Sequence, residues 1–189
     1  AAVAVDAAGN IQPVYATGSF CYDLQPPDSQ VGTSGYYNAL TWTGTITGTA
    51  ADATSGVLGV AIVLQRSVAP HYWNGTIWQA AQTWVTATGT VTWAYPLTPD
   101  SGVVYTVTSR AVDKAGNTEI TYGTASFALD LQEPDSLVGT SGFYRSATWT
   151  GAITGTASAG VSGVARAWIS WTSPCSAVRT IGISPAARG

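Results

Sequence analysis

Polar and apolar residues alternate along much of this chain with a period of two. Between Thr41 and Ala50, threonines 41, 43, 45, 47 and 49 fall on one side, and Trp42, Gly44, Ile46, Gly48 and Ala50 on the other. Such alternation predicts a half-buried β-strand, with β-branched but polar threonine on the wet face. Val57–Arg66 predicts a second strand, with Val60, Ile62 and Leu64 on one side. The run Val91, Trp93, Tyr95, Leu97 predicts another, and Trp84–Ala87 a short one. In a further strand Tyr105, Val107, Ser109 and Ala111 face inward up to the turn Asp113–Asn117, and Tyr122–Leu129 completes the set. Asn74-Gly75 between Tyr72-Trp73 and Trp78 predicts a hairpin, with both turn residues at positive φ as a type I′ turn demands. Seven or more short strands, separated by turn signals and without helical periodicity, predict an all-β, antiparallel β-sandwich of about 100 residues. Tyr105, at the head of its strand, occupies the place of a tyrosine corner.

The pattern is duplicated. Phe20–Val57 and Phe127–Val164 share 25 of 38 residues without a gap, at an offset of 107, and the same offset relates Ala4–Asn10 to Ala111–Asn117. A constant offset over that length indicates a repeated structural unit. The repeat predicts four segments: 1–20 as the C-terminal end of a preceding unit, with a strand end at Val3–Asp6 and a last strand at Tyr15–Phe20, 24–129 as a complete unit, 130–164 as the N-terminal part of a following one, and a tail at 165–189. The linker Asp23–Ser29 is stiffened by Pro26 and Pro27. The tail loses the pattern, has no acidic residue and holds three of the seven basic ones (Arg166, Arg179, Arg188). Back-translating Ala167–Ile183 with a one-base shift restores an LQRS like that of Leu64–Ser67, so the tail is expected to be non-native and frameshifted.

Composition narrows the function. Only 9% of residues are charged and the formal net charge is −3, which leaves no basic stripe for nucleic acid. No apolar run approaches the length of a membrane span. The two cysteines, Cys21 and Cys175, are not related by the repeat, because Ala128 stands in Cys21's place, so no disulfide framework is implied. His71 is the single histidine. Gly32-Thr33-Ser34-Gly35 lacks the spacing of a nucleophile elbow, and no phosphate loop or zinc-ligand cluster is present. An enzyme is not expected.

Two places carry candidate chemistry. Asp113 and Asn117, with Asp6 and Asn10 in the preceding copy, suit turn capping. The alternative is a Ca²⁺ site at the junction between repeats, where Asp113 would meet Asp23 or Asp28. Tyr72, Trp73 and Trp78 flank the hairpin tip. They serve either as cross-strand pairs that hold the hairpin or as a platform for sugar rings or a partner. Asn74-Gly75-Thr76 also fits a glycosylation pattern, but the turn alone accounts for it.

The Pro-Pro linker, Gly35–Val57, Tyr72–Trp78 and Tyr105–Asn117 together resemble the bacterial Ig-like domains strung in tandem in large secreted and cell-surface proteins, repetitive adhesins among them. The resemblance covers nearly everything before residue 165. Ser67–His71 departs from it where a polar turn would stand, as does Ala159 at the acidic position matching Asp52. It implies an immunoglobulin-like sandwich acting without catalysis as a stalk or adhesin spacer, secreted or on a bacterial surface. Its partners would be neighbouring repeats of the same chain, and a glycan or host surface protein. The alternatives are a carbohydrate-binding module using the hairpin aromatics and an accessory domain of a secreted hydrolase.

Overall fold

The computed structural model describes residues 1–168, so most of the tail lies outside the described residues. The chain is all-β and forms a sandwich. Its eleven principal strands are β1 (Asp28–Val31), β2 (Gly35–Tyr37), β3 (Thr45–Ala51), β4 (Val57–Arg66), β5 (Tyr72–Trp73), β6 (Trp78–Gln79), β7 (Val85–Thr86), β8 (Thr88–Gly89), β9 (Thr92–Pro96), β10 (Val104–Asp113) and β11 (Gly123–Leu129). One sheet runs β1-β3-β9-β8; the other runs β2-β11-β10-β4-β5-β6, with β7 also on β4. Among the described residues the strand pairs are antiparallel except β2 with β11, which is parallel. A separate two-stranded sheet joins β12 (Asp135–Val138) to β13 (Gly155–Ser158).

The alternation of β10 matches expectation, since Tyr105, Val107, Ser109, Ala111 and Asp113 are all buried. Tyr105, Val107 and Ala111 join Val60, Ile62 and Leu64 of β4 and Ile46 and Ala50 of β3 in one apolar cluster. Trp93 of β9 fills the space over Gly48, where a Cβ would come within 2.1 Å of the indole. Its Nε1 donates to the Thr49 carbonyl at 3.1 Å. Close approach, not flexibility, requires this glycine.

Four expectations are corrected. The threonine strand begins at Thr45, not Thr41: Asn38–Trp42 is a turn in which the Trp42 N–H donates to the Asn38 carbonyl at 3.0 Å, and Gly44 lies at φ +85°. Trp42 still reaches the interior and stacks on Phe127 at 5.1 Å. The linker is shorter than expected, because Asp28 and Ser29 already pair in β1. Residues 1–20 hold only the isolated bridges Ala2↔Ala16 and Val5↔Ile11 in place of the expected strands. At the hairpin the pairing Trp73↔Trp78 leaves a four-residue loop, Asn74–Ile77, with only Gly75 at positive φ. Asn74 Oδ1 accepts the N–H groups of Thr76 and Ile77, both at 2.9 Å. The side chain therefore takes over the role a left-handed backbone would play.

The two sheets are tied by a buried carboxylate that the strand pattern does not reveal. Glu119 Oε1 accepts the Ser29 N–H at 2.8 Å, while Oε2 accepts the Ser29 hydroxyl at 2.6 Å and the Ala111 N–H at 2.7 Å. The carboxylate thus joins β1 of the first sheet to β10 of the second. Glu119→Ala would strand two backbone donors and a hydroxyl, with an expected loss of about 3 kcal/mol or more in a denaturant titration. Glu119→Gln keeps one acceptor oxygen and should lose clearly less.

Candidate functional site

The hairpin rings turn toward the core. Trp73, Trp78 and Tyr72 are each half-buried, and both tryptophans pack against the main apolar cluster. Trp73 Nε1 donates to the Tyr95 hydroxyl at 2.8 Å. Its ring lies 5.3 Å from Trp78, which in turn lies 5.9 Å from Tyr105. The Arg66 guanidinium sits 4.4 Å over the Trp78 ring, and its Nε donates to the Pro70 carbonyl at 2.9 Å. Arg66 also approaches Asp100 at 3.6 Å. Tyr105 makes the contact of a tyrosine corner: its hydroxyl accepts the Asp100 N–H at 2.9 Å. Burial pushes the Tyr105 phenol above its ordinary range. At the tip itself Ile77 is the exposed apolar side chain, 59% accessible. His71 is exposed, with Nδ1 3.0 Å from the Arg66 carbonyl oxygen.

The acidic turn builds a different kind of place. Asp113 comes together with Asp23, as the sequence suggests, and also with Asp52; one carboxylate oxygen from each lies within 4.8 Å of the others. Asp28, the alternative partner, is instead exposed in β1. Asp52 carried a signal of its own, an aspartate opening the turn Asp52–Gly56. Its Oδ1 accepts the N–H groups of Thr54, Ser55 and Gly56 at 3.1, 2.9 and 2.6 Å.

The other oxygens are engaged in the same way. Asp23 accepts from the N–H groups of Gln25 at 2.9 Å and Ser55 at 3.0 Å. Asp113 accepts from the Asn117 N–H and from Asn117 Nδ2, each at 2.8 Å. Asn117 Nδ2 also donates to the Asp23 carbonyl at 3.1 Å. Asn117 thus presents hydrogen-bond donors to the cluster, the wrong polarity for a cation ligand. Five of the six carboxylate oxygens accept hydrogen bonds.

The turn Asp6–Asn10, which matches Asp113–Asn117 in sequence, makes the same bonds by itself. Asp6 accepts from the Ala8 and Asn10 N–H groups and from Asn10 Nδ2 at 2.9, 2.8 and 2.7 Å, although this turn is exposed and stands apart from other carboxylates in the cluster. The Asp–Asn geometry is a local cap that forms without the junction. Asp130, 107 residues after Asp23, makes matching bonds, accepting the Ser162 N–H at 2.9 Å and the Gln132 N–H at 3.0 Å.

These bonds set the acidities. The Ser55 side chain, then the Gln25 N–H, hold the Asp23 carboxyl below its usual range, against burial and the nearby Asp113 charge. Burial pushes Asp113 upward, but Asn117, Gly116 and Ala115 outweigh it and the net shift is downward. The Ser162 side chain lowers Asp130, and the Asn10 side chain lowers Asp6.

No family model matches the chain, and no curated protein does. A crystal structure of an engineered protein is similar to it over 56% of this chain and 20% of the other, at 17% identity and a TM-score of 0.34. The chain thus spans about one fifth of that protein's length. So weak a likeness bears on neither fold nor function.

Two measurements check this reading. Carboxylates with lowered folded-state pKa values stabilise the fold fully above their unfolded value of about 3.9 and lose that contribution as pH falls through the folded values. Thermal stability should therefore hold above about pH 5 and fall below about pH 4. At neutral pH, Ca²⁺ and EDTA should give the same melting temperature; a rise with Ca²⁺ that Asp52→Asn abolishes would make the cluster a cation site. Separately, Trp73→Ala with Trp78→Ala should cost about 3 kcal/mol or more in a denaturant titration, as loss of core rings does. A change under about 0.5 kcal/mol, typical of free surface positions, would show that the rings are spare for a ligand.

Proposed function

We propose that this chain is a non-catalytic immunoglobulin-like repeat that serves as a stalk or adhesin spacer in an extracellular or cell-surface protein. The observation that carries the reading is where the chain enters and leaves the sandwich. Asp23 enters beside Asp52 and Asp113, at the C-terminal end of β10. Asp130 leaves at the opposite pole, where its N–H donates to the Tyr37 carbonyl at 2.8 Å and the Leu131 N–H donates to Ser101 Oγ at 3.0 Å. The ten residues of β10 separate the poles, about 30 Å at the rise of a strand. A unit threaded from pole to pole, with short prolyl linkers, adds length with each copy. The 107-residue offset and its 25 identities over 38 positions support the reading of the copies as one array.

A glycan-binding reading would draw on Tyr72, Trp73 and Trp78. The core already occupies one side of each tryptophan, so the spacer reading accounts for more of what the rings do.

Polypeptides of one, two and three copies test the proposal by small-angle scattering. The maximum dimension should grow by about 30 Å or more with each copy added. A nearly constant dimension, meaning copies folded back on one another, would defeat the spacer reading.

A further inference from the structure

Two arginines of the complete unit lie over tryptophan rings, and the fold completes the surroundings of one of them. Arg66 stands 4.4 Å over Trp78, donates from Nε to the Pro70 carbonyl at 2.9 Å and approaches Asp100 at 3.6 Å. Arg110 stands 4.3 Å over Trp84, yet its Nε is the one buried side-chain nitrogen or oxygen among the described residues without a hydrogen-bond partner. Arg66 with Asp100 is also the one ion pair among the described residues, so Arg110 has no carboxylate against it. A guanidinium keeps its charge at any physiological pH, and an unmet buried donor is costly. Arg66 finds its acceptor and its counter-charge within the fold; Arg110 finds neither.

The setting is the outer face of the larger sheet. Val85 of β7 pairs with Ile62 of β4, and both belong to the core, so their neighbours Trp84, Thr86 and Ala61 fall on the other face. Arg110 pairs with Ala61 from the opposite side, and Tyr122 stands just before the Ser109↔Gly123 pair. Trp84 and Tyr122 meet edge-on at 5.4 Å. The approaches to β7 and β11 thus bring an indole and a phenol to a guanidinium on β10. Tyr122 remains 45% accessible, and two positions along each strand the hydroxyls of Thr108 and Thr124 lie 3.4 Å apart. The strand pattern does not itself call for a cation here. At the position 107 residues earlier stands Val3, although the stretch that follows, Ala4–Asn10, closely matches Ala111–Asn117.

We propose that Arg110, Trp84 and Tyr122 form a binding site for an acidic saccharide, with the Arg110 guanidinium receiving the sugar carboxylate. Stacking on Trp84 occupies a face of the guanidinium and leaves its N–H edge, the edge that matches a carboxylate. The indole also fixes how that edge is aimed, so little side-chain freedom is lost on binding. The open ring of Tyr122 offers a flat apolar face to a pyranose, and the threonine hydroxyls offer partners to its own. Charge complementarity selects a sugar over an acidic peptide. The basic residues of 24–129 are Arg66, Arg110 and Lys114. Arg66 is taken by Asp100, and Lys114 is held at the entry pole, where its N–H donates to the Gly56 carbonyl at 3.0 Å. One isolated cation among neutral hydroxyls suits one carboxylate per ring, not a run of acidic side chains. The site is separate from the hairpin rings and does not rest on the spacer role.

The test titrates the full chain with tetragalacturonic acid and with sialyllactose, each also as its methyl ester, and with tetraglutamate. Binding is followed by calorimetry and by the amide and indole N–H signals in NMR. Saturable binding of a free-acid sugar is expected, with shifts centred on Trp84 and Tyr122. Its ester should bind at least about tenfold more weakly, as loss of a charge-assisted hydrogen bond implies. Arg110→Gln should weaken the acid by a similar factor while the melting temperature shows the variant folded. Tyr122→Ala, at an exposed position, should also weaken it and supplies the comparison if Arg110→Gln does not fold. Equal affinity for acid and ester, or binding that the folded variants leave unchanged, overturns the proposal. So do shifts centred on Trp73 and Trp78, tetraglutamate binding as tightly as the sugars, and the absence of sugar binding up to about 5 mM, beyond the range of a weak specific contact.

Discussion

A line of aromatic rings holds this sandwich together. Tyr37 meets Trp42, Trp42 stacks on Phe127, Phe127 stacks on Tyr105 at 5.3 Å, and Tyr105 leads on to Trp78 and Trp73. The rings come from the turn before β3 and from β2, β11, β10, β6 and β5, so one row crosses almost the whole width of the larger sheet. Large rings bring the greatest apolar area per residue into a core, with added directionality from offset and edge-on contact. At the hairpin of β5 and β6 the row is joined by the Trp73–Tyr95 hydrogen bond and by the Arg66 guanidinium over Trp78. The half-burial of Trp73 and Trp78 follows: they are the outer end of the row.

Strands were legible where period two and burial coincide. The bounds of β4 are those the alternation implies, and the inner residues of β10 are those the pattern places inside. Legibility failed where a side chain substitutes for backbone. Thr41 and Thr43 keep the alternation, yet Asn38 Oδ1 captures the Leu40 and Thr41 N–H groups and closes a turn there. Asn74 does the same in the hairpin loop. Such caps compete with strand geometry and leave no periodic trace.

The candidate sites divide along the same line. Asp113 and Asn117 were visible because a capping pair four residues apart is a local pattern. The approach of Asp23 to Asp52 and the bonds from Glu119 to Ser29 join residues 29 and 90 positions apart, and only the packed sheets bring them together. Buried polar groups of this kind specify which strands meet, because an unpaired donor in the interior is costly. The pole where the chain enters is therefore held by carboxylates, while the interior is held by rings.

Threading from pole to pole also decides how the unit would meet a pull on its ends. β1 leads away from the entry pole and β11 runs toward the exit, so tension between Asp23 and Asp130 draws these strands lengthwise past their neighbours. The four-residue ladder of β1 with β3 and the six-residue ladder of β11 with β10 would be loaded in shear, with all their hydrogen bonds sharing the load at once. Pulled across the strands, the same bonds would open singly, like a zipper. A fold threaded this way is oriented to resist stretching along its own axis, and Glu119, fastened to both β1 and β10, lies across the plane that would have to slip.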